Sequence, residues 1–315
     1  MMKYYYFNYI SAFKCKAGEC KHNCCKGWVI PIDTKSLNKY SKLSAIDQDF
    51  VNNVDYNNKR FNQENANCKF LDQSNLCKII NKYGESYLCN TCKTHPRFKN
   101  FYKSFIEVGG GASCEEMARL IVSGKKKMKL NGVKNLIKEN ANITEFEKQI
   151  IKYRNKVIKV IQNRKLKISQ RVKQLLSICQ VRVTDISVCD WFNFLLELEK
   201  LDCARDEVYN KVINFNISWD SIRLDEQKYA RSYEQVLSYF AYRHIPRAID
   251  KLDLRLQTAL AVLSFLLCVA LFESGLSLET YSLEEAIRFY SAEIEYSNLN
   301  LNAILDKLEG LVKLI

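Results

Sequence analysis

Apolar positions settle into a helical period only late in the chain. Ile143, Phe146, Ile150, Val157, Ile161, Ile168, Val172 and Leu175 recur at spacings of three, four or seven, the stripe of an amphipathic helix. Thr144-x-x-Glu147 is a capping box at its start, and a break is predicted near Asn163. Further helices are predicted over residues 190–215, 232–244, 252–272 and 282–299, with a last one over 302–315. Ser232-x-x-Gln235 and Ser282-x-x-Glu285 start two of them. Residues 256–272 carry no charge, but they include Gln257, Thr258 and Ser264, and no second such run exists. The run is therefore read as a helix buried on all sides and not as a membrane span.

The first third lacks this regularity. Residues 4–33 read as irregular structure. Asp33 or Thr34 caps a short helix through Leu43, and a second is predicted from Ser44 through the motif Ser44-x-x-Asp47. The Asn-rich residues 52–67 read as a surface loop, and Asn75 and Gly84 as turns. Phe105-Ile-Glu-Val reads as a strand, followed by Gly109-Gly110-Gly111 and a helix opened by the box Ser113-x-x-Glu116. The Gly run imitates a dinucleotide-fold cofactor loop. No alternating strand–helix units follow it, and the expected acidic residue is replaced by a lysine run, so such a site is not predicted. With only 10 Gly and 3 Pro in 315 residues, the expected fold is mostly α. A cysteine-rich, metal-holding region over 1–124 precedes a helical region over 125–315, which is expected to pack on the first as one unit.

Charge changes the picture in one place. Residues 125–173 hold 16 Lys/Arg against 3 Asp/Glu, which accounts for the whole net charge of +13. This basic helix either faces solvent or meets an acidic protein or nucleic acid. With only Phe146 and Tyr153 as aromatics, no specific nucleic-acid recognition is expected.

The chemistry lies in the cysteines. Nine of the 13 fall in the first 114 residues. The amino-terminal stretch has no apolar export core, so the chain is expected in the cytoplasm, where clustered cysteines favour metal over disulfides. Cys15, Cys20, Cys24, Cys25, Cys68, Cys77, Cys89 and Cys92 are the candidate ligands. A preferred set takes Cys89 and Cys92 with two of Cys20, Cys24 and Cys25. Thiolate-only ligation suits zinc and iron–sulfur clusters alike. Cys114 is either an added ligand or a plain buried thiol. His22 and His95 are read as surface or hydrogen-bonding groups, and Arg97 either pairs a cofactor carboxylate or makes a structural ion pair. Cys179, Cys189, Cys203 and Cys268 have no chelating spacing and are read as small buried apolar residues. No Ser-His-Asp set or metalloprotease motif is present.

These residues carry a resemblance. Phe13-x-Cys15-x4-Cys20-x3-Cys24-Cys25-x2-Trp28, Cys68-x-Phe70-Leu71 to Cys77, Gly84-Glu85-x2-Leu88-Cys89-x2-Cys92-x3-Pro96-Arg97 and Ser113-Cys114-Glu115-Glu116 are similar to the flagellin lysine-N-methylase (FliB) family. They resemble more distantly the CxxCxxCC zinc- or iron-chelating family. The first resemblance implies methylation of flagellin lysines with S-adenosylmethionine and an iron–sulfur cluster, 4Fe–4S, with zinc as the alternative. The residues alone leave two other readings open: a chelating binding module whose basic helix meets nucleic acid or an acidic protein, and a non-catalytic iron–sulfur sensor.

Overall fold

The computed structural model describes residues 2–140, 142–222, 224, 227–276 and 282–312. Contacts divide the chain into a cysteine unit, residues 14–98 with 114–116, and a helical unit, residues 1–13, 99–113 and 117–315. The division differs from a single cut at residue 124. Its cause is strand pairing: β1 (Lys3–Tyr6) runs parallel to the strand Phe105–Gly110, with Lys3 opposite Phe105 and Tyr6 opposite Val108. Residues 4–33 are therefore not wholly irregular. The Tyr4-Tyr5-Tyr6 run has no alternation to announce a strand, and its partner lies far along the chain.

The cysteine unit is built from short pieces. α1 (Thr34–Leu43) is capped by Asp33, whose carboxylate accepts the Ser36 N–H at 3.0 Å. α2 (Gln48–Asn52) starts after Asp47, not at Ser44, because the Ser44 N–H ends α1 on the Tyr40 carbonyl. The polar stretch read as a loop folds into two small antiparallel ladders. These pair β2 (Val54–Asp55) with β3 (Arg60–Phe61), and β4 (Gln63–Glu64) with β5 (Asn67–Cys68). Asn75 and Gly84 do turn the chain, at φ of 58° and 82°. Between and after them come α3 (Lys78–Tyr83) and α4 (Asn90–Thr94). The core is aromatic: Tyr40, Phe50, Phe61 and Phe70 are buried, with ring centroids 5.0–5.8 Å apart. Cys68 and Cys89 are buried among them.

In the helical unit the sheet order is β1, β7 (Phe105–Gly110), then β6 (Arg97–Phe101), which begins in the cysteine unit. α5 (Glu115–Val122) begins one residue later than its capping box requires, and the Ser113 hydroxyl has no hydrogen-bond partner among the described residues. After α6 (Leu136–Glu139), α7 (Glu145–Ile161) carries the predicted Thr144–Glu147 box and breaks before α8 (Ile168–Cys179). The predicted helix 190–215 is two helices, α9 (Val188–Glu197) and α10 (Arg205–Phe215). The Glu293 carboxylate receives the N–H groups of Leu201 and Asp202 between them, so a tertiary contact supplies the break. α11 (Ala230–His244) starts ahead of Ser232, which therefore does not cap it.

α12 (Lys251–Leu276) is long and apolar enough to cross a membrane, yet its residues from Ala259 to Phe272 are all buried by α8, α10, α11, α13 (Leu283–Tyr290) and α14 (Asn298–Glu309). A π-helix, Ser291–Glu295, interrupts the predicted helix 282–299. The last helix starts at Asn298 under a Ser297 cap, and the predicted end at 315 lies outside the described residues. Basic residues from the charged segment enter this interior. Arg154 meets Glu107 in two bonds of 2.6 and 2.7 Å, both side chains at most 1% exposed. Arg164 and Arg171 pair with Glu234. Thus two of the segment's cations, Arg154 and Arg171, are buried against carboxylates, while Arg164, Lys125, Lys126, Lys127, Lys152, Lys156 and Lys159 remain exposed.

Candidate metal centre

The cysteine motifs converge through backbone pairing. The Cys68 N–H donates to the Cys25 carbonyl at 2.8 Å, joining the first motif to the second. The Lys78 N–H bonds the Phe70 carbonyl at 2.8 Å, and Leu71 bridges Cys77. Asp33 supplies the third tie: one carboxylate oxygen caps α1 and the other accepts the Asn90 N–H of α4 at 2.8 Å. The Thr91 hydroxyl and the Cys89 thiol both donate to the Pro31 carbonyl, at 2.8 and 3.8 Å. The Trp28 indole N–H closes on the Cys24 carbonyl at 2.9 Å. Asp33 was legible as a cap; its second role joins residues 57 apart and leaves no local signal.

Electrostatic neighbours sort the thiols into groups. Cys25 interacts with Cys24, Cys68 and Cys77, and Cys92 with Cys89, Cys25 and Cys68. Cys68 in turn interacts with Cys77, Cys89 and Cys24. These six form one set. Cys20 instead interacts with Glu115, Cys114 and Cys15, and with Cys24 at the edge of the first set. Lys16 pairs with Glu115 and Glu116 beside it, each at 3.7 Å. Of the eight predicted ligands, five, Cys25, Cys68, Cys77, Cys89 and Cys92, lie within or against one core cluster, with Cys24 an electrostatic neighbour of Cys25 and Cys68, while Cys20 neighbours Cys15, Cys24 and Cys114.

Within the six, the Cys25 thiol holds Cys24 below the ordinary thiol value, and the Cys92 thiol does the same for Cys89. Cys25 and Cys92 are themselves pushed up by the same pairing and by burial. Burial raises Cys68 to about 11 against a Phe70 N–H donated to its sulfur, and raises Cys77 against those of Ile80 and Ile79. The Cys92 and Thr91 N–H groups also donate to Cys89. Peptide N–H groups aimed at sulfur stabilise thiolates, the form that ligates metals. Among the described residues, no three His, Cys, Asp or Glu side chains close on one point as a finished cage. The donors available are all thiols, Cys68 and Cys89 buried and Cys25, Cys77 and Cys92 half-buried against the same core, a set whose chemistry suits a soft metal or an iron–sulfur cluster.

The remaining candidates fall elsewhere. Burial lowers His95 to about 4, leaving it neutral, and its ring lies 6.2 Å from Trp28. His22 and Arg97 are exposed. Cys179 and Cys268 are buried as predicted; Cys203 is exposed and Cys189 only partly covered. For Cys203 the correction is positional, since it precedes α10 in the break. The Gly run is no cradle: Gly109 and Gly110 are buried in β7, and a methyl on Gly110 would collide with the Met117 thioether.

Lysine-N-methylase of Salmonella typhimurium strain LT2 is 27% identical to this chain over 144 residues. This chain is similar to the lysine-N-methylases. That match covers 42% of this chain and 36% of the relative, and the enzyme of the same name from Salmonella choleraesuis strain SC-B67 aligns equally. The flagellar biosynthetic protein FliU of Salmonella muenchen is also 27% identical, over 40% of this chain and 81% of its own length. The chain therefore aligns to little more than a third of the named lysine-N-methylases. These relatives bear out the resemblance read from the cysteine spacings. No family model matches the chain, and no solved structure matches it.

Proposed function

We propose that this chain methylates lysine side chains of flagellin with S-adenosylmethionine, and that its cysteine unit holds an iron–sulfur cluster. The observation that carries the reading is the group of six thiols with N–H donors on Cys68, Cys77 and Cys89; the relatives' names supply the reaction and substrate. Cys24, Cys25, Cys89 and Cys92 are the first choice of ligands, with Cys68 and Cys77 in reserve. Bound there, a cluster supplies an iron that can anchor the cofactor or exchange single electrons. The protein's own part is to keep Cys24 and Cys89 ready as thiolates and to fix α4 on Asp33. The aromatic core also shields the two buried thiols, Cys68 and Cys89, from water. Zinc is the second reading: two thiol pairs make the four donors of a structural site.

The test is anaerobic purification with iron, sulfide and zinc analysis, followed by mass spectrometry of flagellin incubated with S-adenosylmethionine and a reductant. Brown protein with iron and labile sulfide, yielding methyl-lysine, is expected. Cys89→Ser should abolish transfer while helical content survives. Gly110→Ala should cost less, since Met117 can swing aside. Stoichiometric zinc in colourless protein would replace the cluster reading with the chelating module.

A further inference from the structure

The helical unit contains a cleft of about 390 Å³ between the start of α12 and α14. Its floor is apolar, made by Leu256, Leu260 and Leu305. Its walls carry four carboxylates, Asp250, Asp253, Asp306 and Glu309, against one cation, Arg247. That makes a local formal charge of −3 on a chain whose total is +13. Ile249 and Leu252 also line the cleft while 80% and 36% exposed, so apolar surface adjoins the acids and is left in water. Asp250 and Asp253 are partly engaged: Asp250 receives the Asp253 N–H at 2.7 Å, and Asp253 the Ile249 N–H at 3.0 Å, at the start of α12. Asp306 and Glu309 lie exposed on the opposite wall.

We propose that this cleft docks a lysine-bearing segment of a polypeptide partner. A lysine matches both halves of the surface, its methylene stem covering the leucines and its ammonium reaching the carboxylates. An acidic patch on a basic protein selects such a partner locally, against the long-range repulsion of the chain as a whole. The partner's identity as the methylated protein rests on the function proposed above; the chemistry of the cleft does not. The cleft is a docking surface, and methyl transfer is not assigned to it.

The test uses the full chain and a fluorescein-labelled lysine-bearing peptide in an anisotropy titration, with the norleucine version as the uncharged control. The lysine peptide should bind, weaken with added salt, and lose roughly tenfold in affinity to the double variant Asp306→Asn, Glu309→Gln. Both substitutions leave the α12 cap untouched. Absence of binding, equal binding of the norleucine peptide, or an unchanged affinity of the double variant each overturns the proposal. So does a double variant that alters only self-association, which would make the cleft a contact between copies of the chain. Methyl transfer is scored separately. A chain that modifies flagellin but does not bind the peptide refutes the cleft alone; one that binds the peptide but transfers no methyl refutes the enzyme reading alone.

Discussion

The two units are stabilised by different means. The helical unit buries α12 almost entirely, surrounds it with helices of eight to fifteen residues, and keeps its charged interior paired, as in Arg154–Glu107. The cysteine unit has ladders of two residues, one ten-residue helix and three of five or six. Five of its thiols stand within or against its aromatic core. A long amphipathic helix draws its stability from the apolar face it buries, whereas short pieces need an additional constraint. In the first case hydrophobic burial suffices; in the second, ligation would be the natural supplement, and five of the candidate ligands already stand within or against the core.

The largest test of this contrast is removal of the proposed metal. Ligation can contribute on the order of 10 kcal/mol to a small metal-organised region. Chelation should make residues 14–98 protease-sensitive while the helical unit persists. Identical digestion patterns with and without metal would end the comparison.

The helical unit should break from within instead. Glu107→Ala leaves the Arg154 guanidinium buried without its carboxylate and should cost about 3–5 kcal/mol. Replacing both residues by Met should cost much less. Urea denaturation measures this, and iron content should stay unchanged in both variants. Loss of iron from Glu107→Ala would show that the units are not independent.

A smaller effect concerns pH. Burial raises Glu293 to about 7 from an ordinary 4.5, against the Leu201 and Asp202 N–H groups; Asp202 also raises it and Arg205 lowers it. Between those values the folded chain holds a proton that the unfolded chain has lost. This contribution is full below about 4.5 and is lost as pH rises through 7. Glu293→Gln should flatten that slope in the helical unit's melting temperature. A variant with the same pH profile as the parent would assign the slope to other groups.

What was legible in the sequence follows the range of the interactions involved. Thr144–Glu147 and Ser282–Glu285 are local boxes, and both start the helices they predicted. The continuous apolar run became α12 because burial on all sides needs no polar face. The break before α10 was hidden because Glu293 supplies it from 91 residues away. The cysteine spacings marked the candidate centre and its relatives. They did not reveal that Cys68 joins Cys25, because the link is a backbone bond that no spacing encodes.

The pairing of β1 with β7 also shapes how the molecule reaches its fold. Lys3 and Phe105 stand side by side, so residues 14–98 of the cysteine unit lie in a loop spliced into one parallel strand pair. Closing a flexible loop of that length costs about 4 kcal/mol of chain entropy. Non-local pairing of this kind is slow. A cysteine unit that organises first shortens the effective loop, and the strands then meet as near neighbours. If the cysteine unit holds the proposed metal, its supply during synthesis would in this way set the speed at which the helical half acquires its sheet.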